Sequence, residues 1–282
     1  LRGIAWAPQV FTSEGAQSVW AFLNTWRNPV LNELWIDTSP GVELPREYFL
    51  NLRERPFVNR AERDDSPWYR LLTHALPLSA VRSLNLTIGP NRVNHIMVLG
   101  DLVPAIGKDS ISIYRPMVDG ESLRMHGLRR HEETTSFIDG QGQGQSERSF
   151  GQAHREWLEL IMSWNVLAHR YWNGQVQAGV LLPRIQVGHK VALTGPLGRH
   201  YPGWPNTTEE SEALTFYVEG VRHEMTAGRQ PRATTSLMVS RGFIESERSD
   251  AVYDAMENYV GVDLLSPSTA RGSFLDALRI DG

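Results

Sequence analysis

"LTFYVEGVRHEMTAGRQPRATTSLMVSRGF", residues 214–243, holds two alternating runs around a Gly- and Pro-bearing loop. Alternation with period two, rich in Val, Tyr, Phe and Thr, predicts two strands. In the first run Phe216, Val218 and Gly220 share one side, and Tyr217, Glu219, Val221 and His223 the other. In the second, Thr235, Leu237 and Val239 oppose Thr234, Ser236, Met238 and Ser240. "TAGRQPR" is too long for a two-residue hairpin turn. Gly220 in mid-strand predicts a bulge or bend of the kind small barrels use at corners. One greasy face and one carrying hydroxyls and charge describe a wall with a wet side.

Working upstream, "IQVGHKVALTG" (185–195) and "QVQAGVLL" (175–182) read as further short strands, so the region predicts a small antiparallel barrel or sandwich. Before it, "GQAHREWLELIMSWNVLAHRYWNG" (151–174) carries a helical stripe of Trp157, Leu160, Ile161, Trp164, Leu167, Ala168 and Tyr171, ended by Gly174. Residues 139–149, with a Gln-Gly repeat and no apolar payload, read as a mobile linker. "SISIYRP" (110–116) alternates as a strand, and "SLNLTIG" (83–89) with "NHIMVLG" (94–100) reads as a strand pair reversed at a Gly-Pro turn. "LRERPFVN" (52–59) is extended, since Pro56 suits an edge. "NELWID" (32–37) is a short strand, and residues 14–27 form a helix with Val19, Trp20, Phe22, Leu23 and Trp26 on its apolar face. Downstream, "AVYDAMENYVG" (251–261) reads as one last helix.

At 282 residues the chain suits two or three modules. The segments expected are 1–120 (helix plus mixed β), 121–150 (polar loop), 151–245 (helix and tube-like barrel) and 246–282 (helix and extension). The fold class expected is α+β, mainly β, built on small antiparallel tube-like barrels with an α/β insertion and two amphipathic helices. A formal charge of −4 supplies no basic field to grip a nucleic-acid backbone. The absence of cysteine excludes disulfides, thiolate nucleophiles and Cys-based zinc sites, and fits a reducing compartment. No run of roughly 20 apolar residues is present to cross a membrane. Trp204, in the Pro-flanked loop "HYPGWPN", is expected at an interface.

Catalytic patterns fail one by one. His131-Glu132 and His223-Glu224 each open a zinc-protease helix motif, but the second His position holds Thr135 and Ala227. His154-x-Glu156 lacks the cysteines of a zinc deaminase. There is no Gly-x-Ser-x-Gly elbow and no phosphate loop with a following Lys. Asp64-Asp65 and Glu209-Glu210 read as solvated loop charges. No catalytic residue, metal site or cofactor is expected.

The opening stretch resembles the C-terminal barrel of the baseplate hub (tail-tip hub) proteins of tailed bacteriophages and related contractile injection systems. The resemblance rests on "FYVEGVRHEM", the Gly-containing loop, and "ATTSLMVSRG", with "IQVGHKVALTG" as the glycine-turn strand before them. The residues carrying it are Gly188, Phe216, Val218, Gly220, Leu237, Val239, Arg241 and Gly242. Other segments follow in the family's order: "VWAFLNTWRNPVLNELWID", "LRERPF", "MHGLRRHE" with His126 in place of a Tyr, and "REWLELIMSWNVLAHRYW". The family's first barrel has little room here, so that barrel is expected to be lacking or truncated, and Leu1 to mark a fragment.

What the resemblance implies is a non-enzymatic homotrimer. Two similar barrels per copy would present a pseudo-sixfold ring to a hexameric tail tube protein, with a spike or tip protein on the other side and other baseplate proteins around it. DNA would pass through passively, along a lumen with more Asp and Glu than Lys and Arg, in a particle assembled in the host cytoplasm. The alternatives are a tail-associated cell-wall-degrading enzyme and a carbohydrate- or receptor-binding β-module.

Overall fold

A computed structural model describes residues 32–38, 48–58, 66–100, 116–135, 157–199, 201–227 and 232–261. The helix expected at 14–27, the strand at 110–116, the linker at 139–149 and Trp6 lie outside them.

The described residues are mainly β, with three helices. The strands are β1 (Asn32–Thr38), β2 (Tyr48–Glu54), β3 (Thr73–Pro77), β4 (Val81–Ile88), β5 (His95–Gly100), β6 (Met117–Asp119) and β7 (Arg130–Thr135). Then follow β8 (Trp172–Ala178), β9 (Lys190–Pro196), β10 (Asn206–Thr207), β11 (Leu214–Thr226), β12 (Arg232–Ile244) and β13 (Tyr259–Gly261). The helices are α1 (Gly120–His126), α2 (157–165) and α3 (Glu245–Glu257).

The largest sheet runs β3-β9-β11-β12-β8-β4, with β10 on the far end of β9. Its pairings are antiparallel except β3 with β9. Its two outer strands, β3 and β4, are joined by Leu78–Ala80 alone. Laid flat, six strands would separate those outer strands by about 24 Å. A three-residue link spans about 14 Å at most. The sheet is therefore obliged to curl, and it forms a half-barrel.

Two cores follow. Inside the curl pack Leu76, Val176, Ala178, Val191, Leu193, Phe216, Val218, Leu237 and Val239. Outside, α2 and α3 press on the back of β11 and β12 with Phe57, Trp68, Leu158, Ile161, Trp164, Tyr217 and Phe243. The smaller sheet β13-β6-β5-β7 adds Ile96 and Val98, both wholly buried. β1 and β2 form a separate two-stranded ribbon.

Several expectations are corrected. β4 and β5 do not pair: β4 joins β8 in the half-barrel, and β5 joins β6 and β7. Leu84 and Leu86 pack on the inner core, whereas Ile96 and Val98 need burial against the outer one. α2 stops at residue 165, not 174, because Trp172–Gly174 is committed to β8. Its apolar stripe nonetheless continues, since the turn that follows lays Leu167 and Tyr171 on the same core. The last helix begins at Glu245, straight out of β12, and residues 259–261 are strand. The stretch from 121 carries most of α1 and all of β7. Trp204 is no surface residue: it is buried, stacked on Tyr201 at 4.2 Å and edge-on to Trp172 at 5.1 Å.

Candidate functional site

The eight residues singled out in the sequence fall on one continuous piece of the half-barrel. Phe216, Val218, Leu237 and Val239 are buried in the inner core. Gly188 ends the turn before β9 with φ +84, a conformation that favours glycine. Its N–H donates to the Val218 carbonyl and Val218 N–H donates to the His189 carbonyl, so this turn carries the β9–β11 pairing one step past the strand end.

Gly220 is not the bulged residue; Glu219 is. Val218 faces Val239 and Gly220 faces Met238, which leaves Glu219 unmatched. One unmatched residue reverses side-chain parity. Val221, not Gly220, therefore joins Phe216 and Val218 on the inner core. A second bulge lies in β12 at Arg241, φ +57. Its N–H leaves the ladder and donates to Asn173 Oδ1 at 3.0 Å. A left-handed arginine costs about 1–2 kcal/mol. Its guanidinium offsets that by lying 3.4 Å over the Trp164 ring and donating to the Trp164 carbonyl. Burial pulls Arg241 down to about 10, so it stays charged at neutral pH. Gly242 then passes beneath Phe216, where a Cβ would sit 2.1 Å from Cε1 of the ring.

The lower part of these strands is locked by a buried charge cluster the sequence did not reveal. Glu245, the first residue of α3, accepts from Lys190 Nζ at 2.7 Å, Trp68 Nε1 at 2.9 Å and Arg248 Nε at 3.1 Å. Arg248 also donates to the carbonyls of Thr215 and Arg241, both at 3.0 Å, which ties α3 to both long strands. Two cations thus share one carboxylate. The Trp68 ring takes up part of the excess, 4.0 Å from the Arg248 guanidinium and 5.3 Å from Lys190 Nζ. Burial alone would raise the Glu245 carboxyl, but Arg248 and Lys190 hold it below its ordinary 4.5. Tyr217 adds a strap: it donates to Glu33 at 2.6 Å and accepts from Arg53 at 2.7 Å.

Above this lock the sheet changes character. β9 accompanies β11 only from Leu214 to Tyr217, while β11 runs on to Thr226. What remains is a four-stranded ribbon, β11-β12-β8-β4, in continuous register: Val221, Leu237, Val176 and Leu84 form one row, and Arg222, Ser236, Gln177 and Ser83 the next. Among the described residues nothing pairs with the outer edge of β11 from Glu219 to Thr226, or with the outer edge of β4. The face away from the core carries Ser83, Asn85 and Thr87 on β4, Gln175 and Gln177 on β8, Arg232, Ser236 and Met238 on β12, and Arg222 and Glu224 on β11. Arg222, at its margin, is paired with Glu224 at 2.8 Å.

Among the described residues no group of three or more His, Asp or Glu could hold a metal ion. No helix among them is long and apolar enough to cross a membrane.

No protein-family model matches the chain, and no curated protein does. Three chains of solved structures match. One belongs to the structure of the phage P2 baseplate in its activated conformation with Ca. It shares 11% identity over 74% of this chain and 49% of its own, with a TM-score of 0.19. The chain thus spans about half the length of that baseplate chain, and the likeness is weak.

Proposed function

We propose that this chain is a structural hub of a phage tail baseplate, forming a trimeric ring that adapts a hexameric tail tube to a central spike and lines the DNA channel. The observation that carries this reading is the ribbon β11-β12-β8-β4, in register across four strands and, among the described residues, open at both edges. A long open edge invites pairing with another chain. Two open edges on opposite sides of one sheet suit head-to-tail contacts, which close into a ring when the rotation allows. The order of the hub-like sequence segments supports the same reading.

In this scheme the closed half of the sheet supplies rigidity and the ribbon supplies the ring wall. Its outer face is mostly hydroxyls and amides, and Arg222 there is already paired with Glu224, so it offers phosphates few free cations, as passive passage of DNA requires. The chain performs no chemistry; its product is a shape.

Mixing the purified chain with tail tube protein and imaging the product by electron microscopy tests the proposal. A threefold ring seated on the end of a tube, with a central opening, is the expected result. Particles without a ring, or turnover of purified cell wall by the chain, would contradict it.

A further inference from the structure

The turn after α2 faces α3 across a cleft of about 520 Å³. That volume is in the range of small-molecule sites. One wall carries Arg92, His169 and Arg170, with the Asp119 carboxylate beside them, and the other Glu247 and Asp254 of α3. Arg92 and Arg170 form no ion pair within 4.0 Å with Glu247 or Asp254, so opposite charges face each other across the gap unbridged. Ser122 lines the same cleft at 4% exposure, and its buried hydroxyl has no hydrogen-bond partner among the described residues. Nδ1 of His169 is likewise buried and unpartnered.

Buried polar atoms left without partners cost about 1–3 kcal/mol each, so two of them at one cleft call for an occupant. Burial, with Arg92 and Arg170 beside it, pulls His169 down to about 4. The ring is therefore neutral at physiological pH and adds no cation to its wall. A simple anion would meet the carboxylates of α3, and a simple cation would meet the two arginines. A molecule carrying both signs satisfies both walls.

We infer that this cleft is a binding site for a small zwitterion of the amino-acid or short-peptide class, its carboxylate toward Arg92 and Arg170, its ammonium toward Glu247 and Asp254, and its polar backbone on Ser122 and His169. The inference stands without the ring assembly.

Isothermal titration calorimetry of the full chain at low salt, with L-alanyl-L-alanine and its N-acetylated and C-amidated forms as probes, tests it. The free dipeptide binds, and each cap weakens binding at least about tenfold, because each removes one charge-assisted contact. Arg170→Gln and Asp254→Asn produce the same loss from the protein side. Ser122→Ala weakens binding while the unliganded chain melts at the same temperature or higher, since the substitution removes an unpaired hydroxyl. Capped and free dipeptides binding equally would overturn the inference. So would the absence of heat from any probe up to about 10 mM, a concentration at which even millimolar affinity registers.

Discussion

The two halves of the long hairpin β11–β12 are made of similar residues and live differently. Below Val218 the strands are flanked by β9, backed by α2 and α3, and tied by Arg248 to the Thr215 and Arg241 carbonyls. Above it, β11 has β12 on one side and, among the described residues, no strand on the other, and Met225 and Met238 are 76% and 63% exposed. Fold stability resides where both faces are covered; association is expected where backbone groups stand open. The Glu219 bulge marks the change, because it turns the chain from one regime into the other without breaking the β11–β12 pairing.

The sharpest way to break this contrast is to truncate one apolar side chain in each half. Phe216→Ala removes a wholly buried ring and should cost about 3–5 kcal/mol. Val221→Ala, on the half-covered ribbon, should cost about 1–2 kcal/mol. Urea denaturation of both variants checks the ratio; equal losses would erase the distinction between the halves.

Next in size is Glu245→Gln, which leaves Lys190 and Arg248 buried without their carboxylate and should cost about 3 kcal/mol. The pH dependence carries its own sign. A carboxyl held below 4.5 in the folded state contributes stability that is fully present above that value and is lost as pH falls through the folded value. Wild type should therefore lose stability on acidification below 4.5, and the variant should lose less over the same window. Parallel thermal melts across that range give the comparison.

Arg241→Lys keeps a charge but loses the flat contact on Trp164, and should cost about 1–2 kcal/mol. Smallest of all should be the effect on folding of a proline in the open edge. In an antiparallel strand, adjacent N–H groups point to opposite sides. Of Arg222→Pro and His223→Pro, the one whose N–H faces away from β12 should change stability by about 1 kcal/mol or less. Denaturation of both variants identifies it, and the same variant should lose self-association.

Much of the local structure was legible. β1, β9, β11 and β12 were visible as period-two runs, and α2 as a 3.6-period stripe. Partner choice was not, because it is decided at long range. The Gly-Pro turn between 83–89 and 94–100 looks like a hairpin, yet Leu84 and Ile96 bury against different cores. Parity also misled. Gly220 drew attention as the special residue, but the unmatched one is Glu219, whose side chain gives no bulge signal. The charge cluster at Glu245 joins residues 68, 190, 245 and 248, and no spacing rule connects them. Seven of the eight motif residues lie in β11 or β12, and Gly188 lies in the turn before β9. Only packing explains why glycine stands at 242, where Phe216 occupies the space a side chain would need.

Native mass spectrometry of the wild-type chain and of the edge-proline variant, each alone and with tube protein, bears most directly on the open ribbon as the ring-forming element. Three copies per particle for wild type, and one copy for a variant that is still folded, is the result expected. A wild-type chain that stays single even beside tube protein, or a trimer indifferent to the proline, would contradict it.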